Sequence, residues 1–181
     1  MTRCLIVEDD DRLRRTLAEA LGSRGFEVRA TASIAEALHA LQEDTPDLIV
    51  LDVALPDGRA HDLVEVLQSR APTPAVVAMS GAAGPDETFE LAQAGVRAFL
   101  KKPIGLRELD AAVDRALTQP PELTPHVRSA VGHLPIKDVE QLVRSTMVDE
   151  ALARSGGSRR SAARVLAVSR QLLQHMLRKG S

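Results

Sequence analysis

The sequence predicts an α/β fold in which a five-stranded parallel sheet precedes a small all-helical region. Three observations indicate this fold class. Short apolar runs alternate with amphipathic stretches over the first two thirds of the chain. Several of these runs end in polar residues, and in an open parallel sheet the carboxyl ends of the strands are where ligands bind. A proline-rich stretch at 119–125 is then followed by a basic segment with only helical periodicity. Alternation of this kind is typical of a parallel sheet covered by helices on both faces.

The elements of the first part follow in order. The predicted strands are 3–8, 26–30, 47–52, 75–80 and 96–100. The predicted helices are 11–23, 33–43, 58–70, 86–94 and 105–117. Breaker and capping residues support these limits. Gly22 and Gly25 follow the first helix, Pro46 and Gly95 precede the third and fifth strands, and Ser33 can cap the second helix.

The second part is predicted to be helical after a stiff linker. Residues 119–125 are proline-rich, and 126–135 are ambiguous because they contain breakers. A broad apolar face at helical spacing predicts a helix over 136–154, which two glycines end. Ser158 can then cap a short helix to Leu166, and Ser169 a last helix to Lys179.

Composition restricts the class of protein. The chain has 181 residues, of which 44% are hydrophobic and 2% aromatic, so an aliphatic core is expected. Its single cysteine, Cys4, lies in the first apolar run and is predicted to be a buried free thiol. Charge begins at Arg3 and no apolar stretch approaches ~20 residues, so no signal peptide, no membrane span and a soluble cytoplasmic protein are expected.

Charge is distributed unevenly. Residues 1–119 carry 13 basic and 20 acidic side chains, whereas residues 120–181 carry 10 and 5. No acidic residue follows Glu150, but seven basic ones do. This asymmetry favours two domains with different partners, the second partner being anionic.

Polar side chains at four strand ends predict a site for a divalent cation and a phosphoryl group. The Asp52 carboxylate could attack phosphorus, with Lys102 and Ser80 placed to stabilise phosphoryl oxygens. Mg²⁺ prefers oxygen ligands. The predicted ligands are carboxylate oxygens of Asp9 and Asp52, the carbonyl oxygen of Ala54, and Glu8 through water.

At these residues the chain resembles the receiver domain of bacterial two-component response regulators, the CheY-like family with a flavodoxin-like fold. The resemblance covers 1–118, and its motifs are 5–10, 47–52, 55–58, 79–81, 94–96 and 99–103. It implies that Asp52 accepts a phosphoryl group from a histidine kinase in a Mg²⁺-dependent reaction of the domain itself. It also implies Glu8 and Asp9 as the acidic pair and Ser80 and Phe99 as switch residues.

The basic C-terminal segment has the pattern of a helix-turn-helix. Apolar residues would pack the last two helices together, and polar residues would face outward. Arginine and glutamine can form bidentate pairs with guanine and adenine in the major groove. Arg159 and Arg160 would contact phosphates and Arg170 a base. The complete set of predicted DNA contacts is Arg159, Arg160, Arg170, Gln171, Gln174, His175 and Arg178.

This segment resembles the Fis-type helix-turn-helix at the C-terminus of NtrC-family activators. The match runs from about 134 to 179, and the helix 136–154 resembles that family's dimerisation helix. The layout is similar to the short RegA/PrrA regulators. Ala167 stands where the family has a turn glycine, which predicts a strained left-handed residue. His175 and Met176 stand where the family usually has basic residues.

Together these patterns predict a receiver domain (1–118), a Pro-containing linker (119–135) and a dimerising, DNA-binding module (136–181). The first hypothesis is a homodimeric transcription regulator controlled by phosphorylation, and no enzyme beyond its own phosphorylation and dephosphorylation. The alternative is a phosphorelay or protein-interaction regulator whose C-terminal helices mediate dimerisation or bind a partner protein rather than DNA. A haloacid-dehalogenase-like phosphatase is excluded because Ala54 stands where its second aspartate would be.

Overall fold

The structure is a computed structural model that describes residues 1–68, 72–81, 90–92, 94–119 and 124–179. The chain separates into two compact units, Met1–Pro120 and Pro121–Ser181. The strands of the first unit are β1 (Arg3–Val7), β2 (Glu27–Thr31), β3 (Leu48–Asp52), β4 (Ala75–Ser80) and β5 (Ala98–Lys101). Its described helices are α1 (Asp11–Ser23), α2 (Ile34–Glu43), α3 (Ala60–Gln68) and α4 (Leu106–Thr118), and residues 90–92 are also helical.

The five strands form one parallel sheet in the order β2-β1-β3-β4-β5, which confirms the predicted fold class. The register pairs Val50 of β3 with Ile6 of β1 and Val77 of β4. All five residues of β3 are buried because strands and helices surround it. The C-terminal end of β3 is therefore the centre of one edge of the sheet.

Apolar residues of the strands alternate between two cores, one on each face of the sheet. On one face Leu5, Val7, Ile49 and Leu51 pack with residues of α2 and α3. On the other face strand residues pack with α1 and α4, and these strand residues are Cys4, Ile6, Leu48, Val50, Ala75, Val77, Met79, Ala98 and Leu100. Cys4 is buried, as predicted. The two-sided burial explains why the strands are continuous apolar runs.

Side-chain caps fix where the first two helices begin. The Asp10 carboxylate accepts a hydrogen bond from the Leu13 backbone N–H at 2.7 Å. The Ser33 hydroxyl accepts one from the Glu36 backbone N–H at 3.1 Å, which confirms the predicted cap. Each cap satisfies a backbone donor that has no partner within its own helix.

The fifth strand begins two residues later than predicted. The backbone N–H of Val96 donates to the Leu91 carbonyl, so Val96 still belongs to the preceding turn. Of the helix predicted over 86–94, residues 90–92 are helical, and residues 86–89 and 93 lie outside the described part. The helix predicted over 58–70 spans Ala60–Gln68, and residues 69 and 70 lie outside the described part.

The second unit contains four described helices: α5 (Thr124–Ala130), α6 (Ile136–Arg154), α7 (Arg159–Val165) and α8 (Arg170–Lys179). Its core consists of Val148, Ala151, Ala162, Ala163 and Leu173, with Leu152, Leu166, Val168, Met176 and Leu177 packed around them. The limits of α6, α7 and α8 agree with the predicted ones to within one residue. None of the described helices in either unit is long and apolar enough to cross a bilayer.

Helix α5 (Thr124–Ala130) lies inside the stretch 119–135 that is expected to connect the two domains, and most of it falls in the part, 126–135, whose structure the sequence left ambiguous. Pro125 occupies the first turn of this helix. A proline there is tolerated because the first backbone N–H groups of a helix need no partner within it. Gly132 has a φ of 83°, and Pro135 is the N-cap of α6.

Candidate functional site

The C-terminal edge of the sheet collects the polar residues that follow its strands. Glu8 follows β1, Asp52 ends β3, Ser80 ends β4, and Lys102 follows β5. The backbone N–H of Lys102 donates to the Ser80 carbonyl at 2.8 Å, which continues the pairing of β4 with β5 by one residue. Because all strands are parallel, these residues share one edge.

Three carboxylates converge at this edge. Glu8, Asp9 and Asp52 each place one oxygen within 4.8 Å of the others. Glu8 and Asp52 are buried and Asp9 is exposed, so the cluster is open to solvent on one side. Three negative charges this close repel one another, and a divalent cation removes that repulsion. The oxygen donors fit Mg²⁺, which binds few protein oxygens and keeps several waters.

Lys102 is the positive group at the site. Its Nζ lies 2.8 Å from Asp52 Oδ2 and donates to Glu8 Oε1 at 2.9 Å. Burial alone would lower the pKa of Lys102. The hydrogen bonds and charges of the two carboxylates outweigh it, so the pKa of this ammonium group is raised. Lys102 therefore remains a cation at neutral pH beside Asp52.

Glu8 has an unusual environment for a carboxylate. Burial raises its pKa, the hydrogen bond from Lys102 lowers it, and the negative charge of Asp52 raises it further, with a net upward shift. Its Oε2 lies 2.7 Å from Lys102 Nζ but has no aligned hydrogen bond with any described residue. A buried acceptor without a hydrogen bond is costly. This oxygen is therefore available to a cation or to a cation-bound water.

Asp52 is held by its own loop as well as by Lys102. Its Oδ1 accepts a hydrogen bond from the Ala54 backbone N–H at 3.1 Å. The Val53 N–H donates to the carbonyl of Met79 on β4 at 2.9 Å. The chain just after β3 is thus fixed, and Ala54 is exposed beside the carboxylates. The ligand role of the Ala54 carbonyl stays a prediction.

The two predicted switch residues lie on neighbouring strands and on one face of the sheet. Ala78 pairs with Phe99, and Ser80 pairs with Lys101. Residues two apart on a strand share a face, so Ser80 and Phe99 both belong to the α2–α3 face. Ser80 is half-buried, whereas Phe99 is 36% exposed and lies outside the core.

Arg14 was not predicted as part of the site. Its guanidinium donates to the carbonyl oxygens of Glu8 and Asp9, at 2.8 and 3.1 Å, and pairs with Asp11. It therefore holds the backbone that carries two of the three carboxylates. Its position one turn into α1 is the only sequence signal, since the side chain can reach back to the preceding loop.

The predicted DNA contacts all lie in the second unit and are all exposed. Arg159 and Arg160 begin α7, after the Ser158 cap. Arg170 begins α8, and the Ser169 hydroxyl accepts a hydrogen bond from the Leu172 N–H at 3.1 Å. Residues four apart share one side of a helix. Arg170, Gln174 and Arg178 thus form one stripe along α8, with Gln171 and His175 beside it.

The turn between α7 and α8 contains the predicted left-handed residue. Ala167 has a φ of 53°, and it is the only non-glycine with positive φ in the described ranges. The Val168 N–H donates to the Ala163 carbonyl at 2.9 Å, which closes the turn. The left-handed region is unfavourable for alanine, so tertiary packing must hold this turn.

Two regulatory proteins are similar in sequence to this chain. The chain is 34% identical over 122 residues to the DNA-binding transcriptional regulator NtrC of Bradyrhizobium sp., covering 65% of this chain and 25% of NtrC. It is 32% identical over 121 residues to the photosynthetic apparatus regulatory protein RegA of Cereibacter sphaeroides, covering 65% of this chain and 66% of RegA. It thus spans about a quarter of the first relative and just under two thirds of the second.

Solved structures and a family model agree with these relatives. The non-phosphorylated HemR receiver domain from Leptospira biflexa superposes with a TM-score of 0.62 at 30% identity, covering 67% of this chain and 98% of that domain. Residues 4–114 match the model of the response regulator receiver domain. With most of its first unit inside that match, the chain belongs to the response regulator receiver domain family.

Proposed function

We propose that Asp52 accepts a phosphoryl group and that this modification controls DNA binding by the C-terminal helices. The observation that carries the proposal is the placement of Asp52. Its buried carboxylate ends the central strand, lies within 4.8 Å of two other carboxylate oxygens, and contacts the Lys102 ammonium at 2.8 Å. A nucleophile, acidic ligands and a fixed cation are the parts that phosphoryl transfer to a carboxylate requires.

The reaction needs a phosphodonor, which we propose is a histidine kinase carrying a phosphohistidine. An Asp52 oxygen forms the new O–P bond while the N–P bond to the imidazole breaks, and the imidazole takes a proton from water. Glu8, Asp9, Asp52 and the Ala54 carbonyl would hold Mg²⁺, which would neutralise charge on the phosphoryl oxygens. Lys102 would leave its contact with Asp52 Oδ2 to pair with a phosphoryl oxygen as a point charge. Ser80 would donate a hydrogen bond to another phosphoryl oxygen.

Phosphorylation would then act through Ser80 and Phe99. The phosphoryl group adds negative charge and acceptor oxygens at Asp52. Ser80 would move toward these acceptors, and Phe99 could bury its exposed ring in the space that Ser80 leaves. Phosphorylation would shift the balance between two pre-existing arrangements of the surface that carries Phe99. Such a shift in populations is sufficient for signalling.

DNA binding by residues 136–181 is supported by charge and by helix placement. Seven basic residues follow Glu150 without any acidic one. Arg170 lies in the first turn of the second helix of a helix–turn–helix, where such proteins contact base edges. Both NtrC and RegA carry regulatory names, and the first is described as DNA-binding.

We assign 1–118 to the receiver, 119–135 to the connecting segment with its short helix, and 136–181 to DNA binding and dimerisation. On this proposal the chain is a transcription regulator that catalyses only its own phosphorylation and dephosphorylation, and its cytoplasmic location stays a prediction.

A second candidate is a protein-interaction module, and α6 provides the observation that favours it. Ile136, Leu142 and Met147 are more than half exposed on this helix. An open apolar groove of about 570 Å³ lies in the second unit, lined partly by Val143 and Met147. Exposed apolar faces of this kind mark protein contacts. A second copy of the chain would satisfy this surface and also suit DNA binding, because dimers pair two half-sites.

A gel-shift experiment distinguishes the two candidates. The full chain is incubated with acetyl phosphate and Mg²⁺ and then with a library of random duplexes, in parallel with Asp52→Ala. Retardation of a subset of duplexes, strengthened by phosphorylation in the parent only, is expected. A chain that takes up phosphate but retards no duplex would instead support the protein-interaction module.

A further inference from the structure

The loop after β3 makes a tertiary contact to which the sequence patterns assign no role. Asp57 lies in this loop, five residues beyond Asp52. Its Oδ1 accepts a hydrogen bond from the Ile34 backbone N–H at 3.1 Å, and its Oδ2 accepts one from the Ala35 N–H at 3.0 Å. Both donors belong to the first turn of α2. The Asp57 carboxylate thus joins the loop to a helix that lies elsewhere in the sequence.

This contact completes the capping of α2. The Ser33 hydroxyl accepts from the Glu36 N–H, and the Ser33 carbonyl accepts from the Ala37 N–H at 3.0 Å. Without Asp57 the Ile34 and Ala35 donors would have no partner within the helix. A carboxylate is also favoured at this end of a helix by the backbone dipoles. The two backbone hydrogen bonds lower the pKa of Asp57, so it is ionised at neutral pH.

The loop also approaches α2 closely at the next residue. A side-chain β-carbon at Gly58 would lie 3.1 Å from Ile34 Cδ1, which is tighter than an ordinary contact. Leu55 is buried in the same core as Ile34. The loop also forms an exposed ion pair between Arg59 and Glu90 at 2.9 Å. Exposed ion pairs stabilise weakly, whereas Asp57 accepts hydrogen bonds from two backbone N–H groups of α2.

We propose that Asp57 is a positioning residue that holds the β3–α3 loop in the conformation required for cation binding. This rests on the proposed function, because the loop matters only if Ala54 and Asp52 hold Mg²⁺. The loop is fixed at one end by the Val53 hydrogen bond to Met79 and at the other by Asp57. Ala54 lies between these two points, so the direction of its carbonyl depends on both. Releasing Asp57 leaves the carboxylates in place but frees the loop that carries Ala54.

The test compares Asp57→Ala with a matched control, Ser33→Ala. Both substitutions remove a cap from the same helix, but only the first releases the loop. Mg²⁺ affinity is measured by calorimetry on the full chain, together with the acetyl phosphate reaction at low and saturating Mg²⁺. Asp57→Ala should weaken Mg²⁺ binding several-fold and slow phosphorylation at low Mg²⁺, and saturating Mg²⁺ should restore the rate. Asp57→Asn, which keeps one acceptor, should recover part of the affinity.

Ser33→Ala should lower the unfolding midpoint without changing Mg²⁺ affinity. Equal Mg²⁺ affinities for the parent and Asp57→Ala would overturn the positioning role while leaving the proposed function intact. The same conclusion follows if the two alanine variants weaken Mg²⁺ binding equally, because the effect would then come from the helix. A parent that binds no Mg²⁺ at millimolar concentration would overturn both proposals.

Discussion

Lys102 Nζ lies 2.8 Å from Asp52 Oδ2, although Asp52 ends β3 and Lys102 follows β5, two strands that β4 separates. The same ammonium group lies 2.7 Å from Glu8 Oε2. One cation therefore compensates two buried carboxylates at the centre of the sheet edge. A second cation bound by Glu8, Asp9 and Asp52 would also compensate these carboxylates. Lys102 could then pair with a phosphoryl oxygen.

Removing Lys102 should destabilise the first unit. Lys102→Ala leaves Glu8 and Asp52 buried without compensation, and this should lower the free energy of unfolding by about 2–4 kcal/mol, since Lys102 is itself partly exposed. Millimolar Mg²⁺ should restore part of the loss. Lys101→Ala, an exposed neighbour, is the control and should change stability by less than about 0.5 kcal/mol. Urea unfolding followed by circular dichroism measures both. Equal losses in the two variants would show that Lys102 does not compensate the carboxylates.

Cys4 should make the stability of the chain depend on alkaline pH. Burial raises the pKa of its thiol from 9.0 to about 12. Because the pKa is raised in the folded state, the contribution of the Cys4 thiol to the free energy of unfolding is complete below pH 9. It is lost as the pH rises toward 12. At pH 10 the parent should lose about 1.4 kcal/mol more than Cys4→Ala does, relative to pH 7.5. Urea unfolding at the two pH values gives the comparison, and identical pH dependence in parent and variant would contradict it.

The apolar face of α6 should mediate dimerisation of the full chain. Met147 is 54% exposed and lines the groove of the second unit. Met147→Glu places a charge in the proposed interface and should shift the chain to monomer in sedimentation at tens of micromolar. Thr146→Glu adds the same charge at an exposed neighbouring position and should leave a dimer. A monomeric parent would remove the proposed interface altogether.

Arg170 should contribute to sequence recognition, whereas Arg159 should contribute to general affinity. On a duplex selected from a random library, Arg170→Ala should cost about 1–3 kcal/mol and leave random DNA nearly unaffected. Arg159→Ala should weaken binding to both kinds of duplex alike. It should also reduce the slope of log affinity against log salt concentration by roughly one unit. Gel shifts at several salt concentrations give both values. If Arg170→Ala loses affinity for selected and random DNA equally, Arg170 contacts phosphates rather than bases.

The sequence predicts the sheet closely because buried parallel strands are continuous apolar runs. The strand at 75–80 is predicted to the residue, and the meeting of Glu8 and Asp52 at one edge follows from parallel topology. The contacts of Arg14 and Asp57 could not be predicted, because they depend on how loops approach each other in three dimensions. Helix α5 was not predicted, because 119–125 was interpreted as a proline-rich linker and 126–135 was left ambiguous for its breakers Gly132 and Pro135, although a proline such as Pro125 is compatible with a first turn.

The central claim is that Asp52 is the phosphoacceptor, and intact-mass measurement tests it most directly. The full chain and Asp52→Ala are incubated with acetyl phosphate and Mg²⁺. The intact mass of each protein is measured before and after Mg²⁺ is removed. The parent should gain the mass of one phosphoryl group, about 80 Da, and Asp52→Ala should gain none, because the attacking carboxylate is absent. If Asp52→Ala gains a phosphoryl group as readily as the parent, another residue is the acceptor and the assignment of Asp52 is wrong.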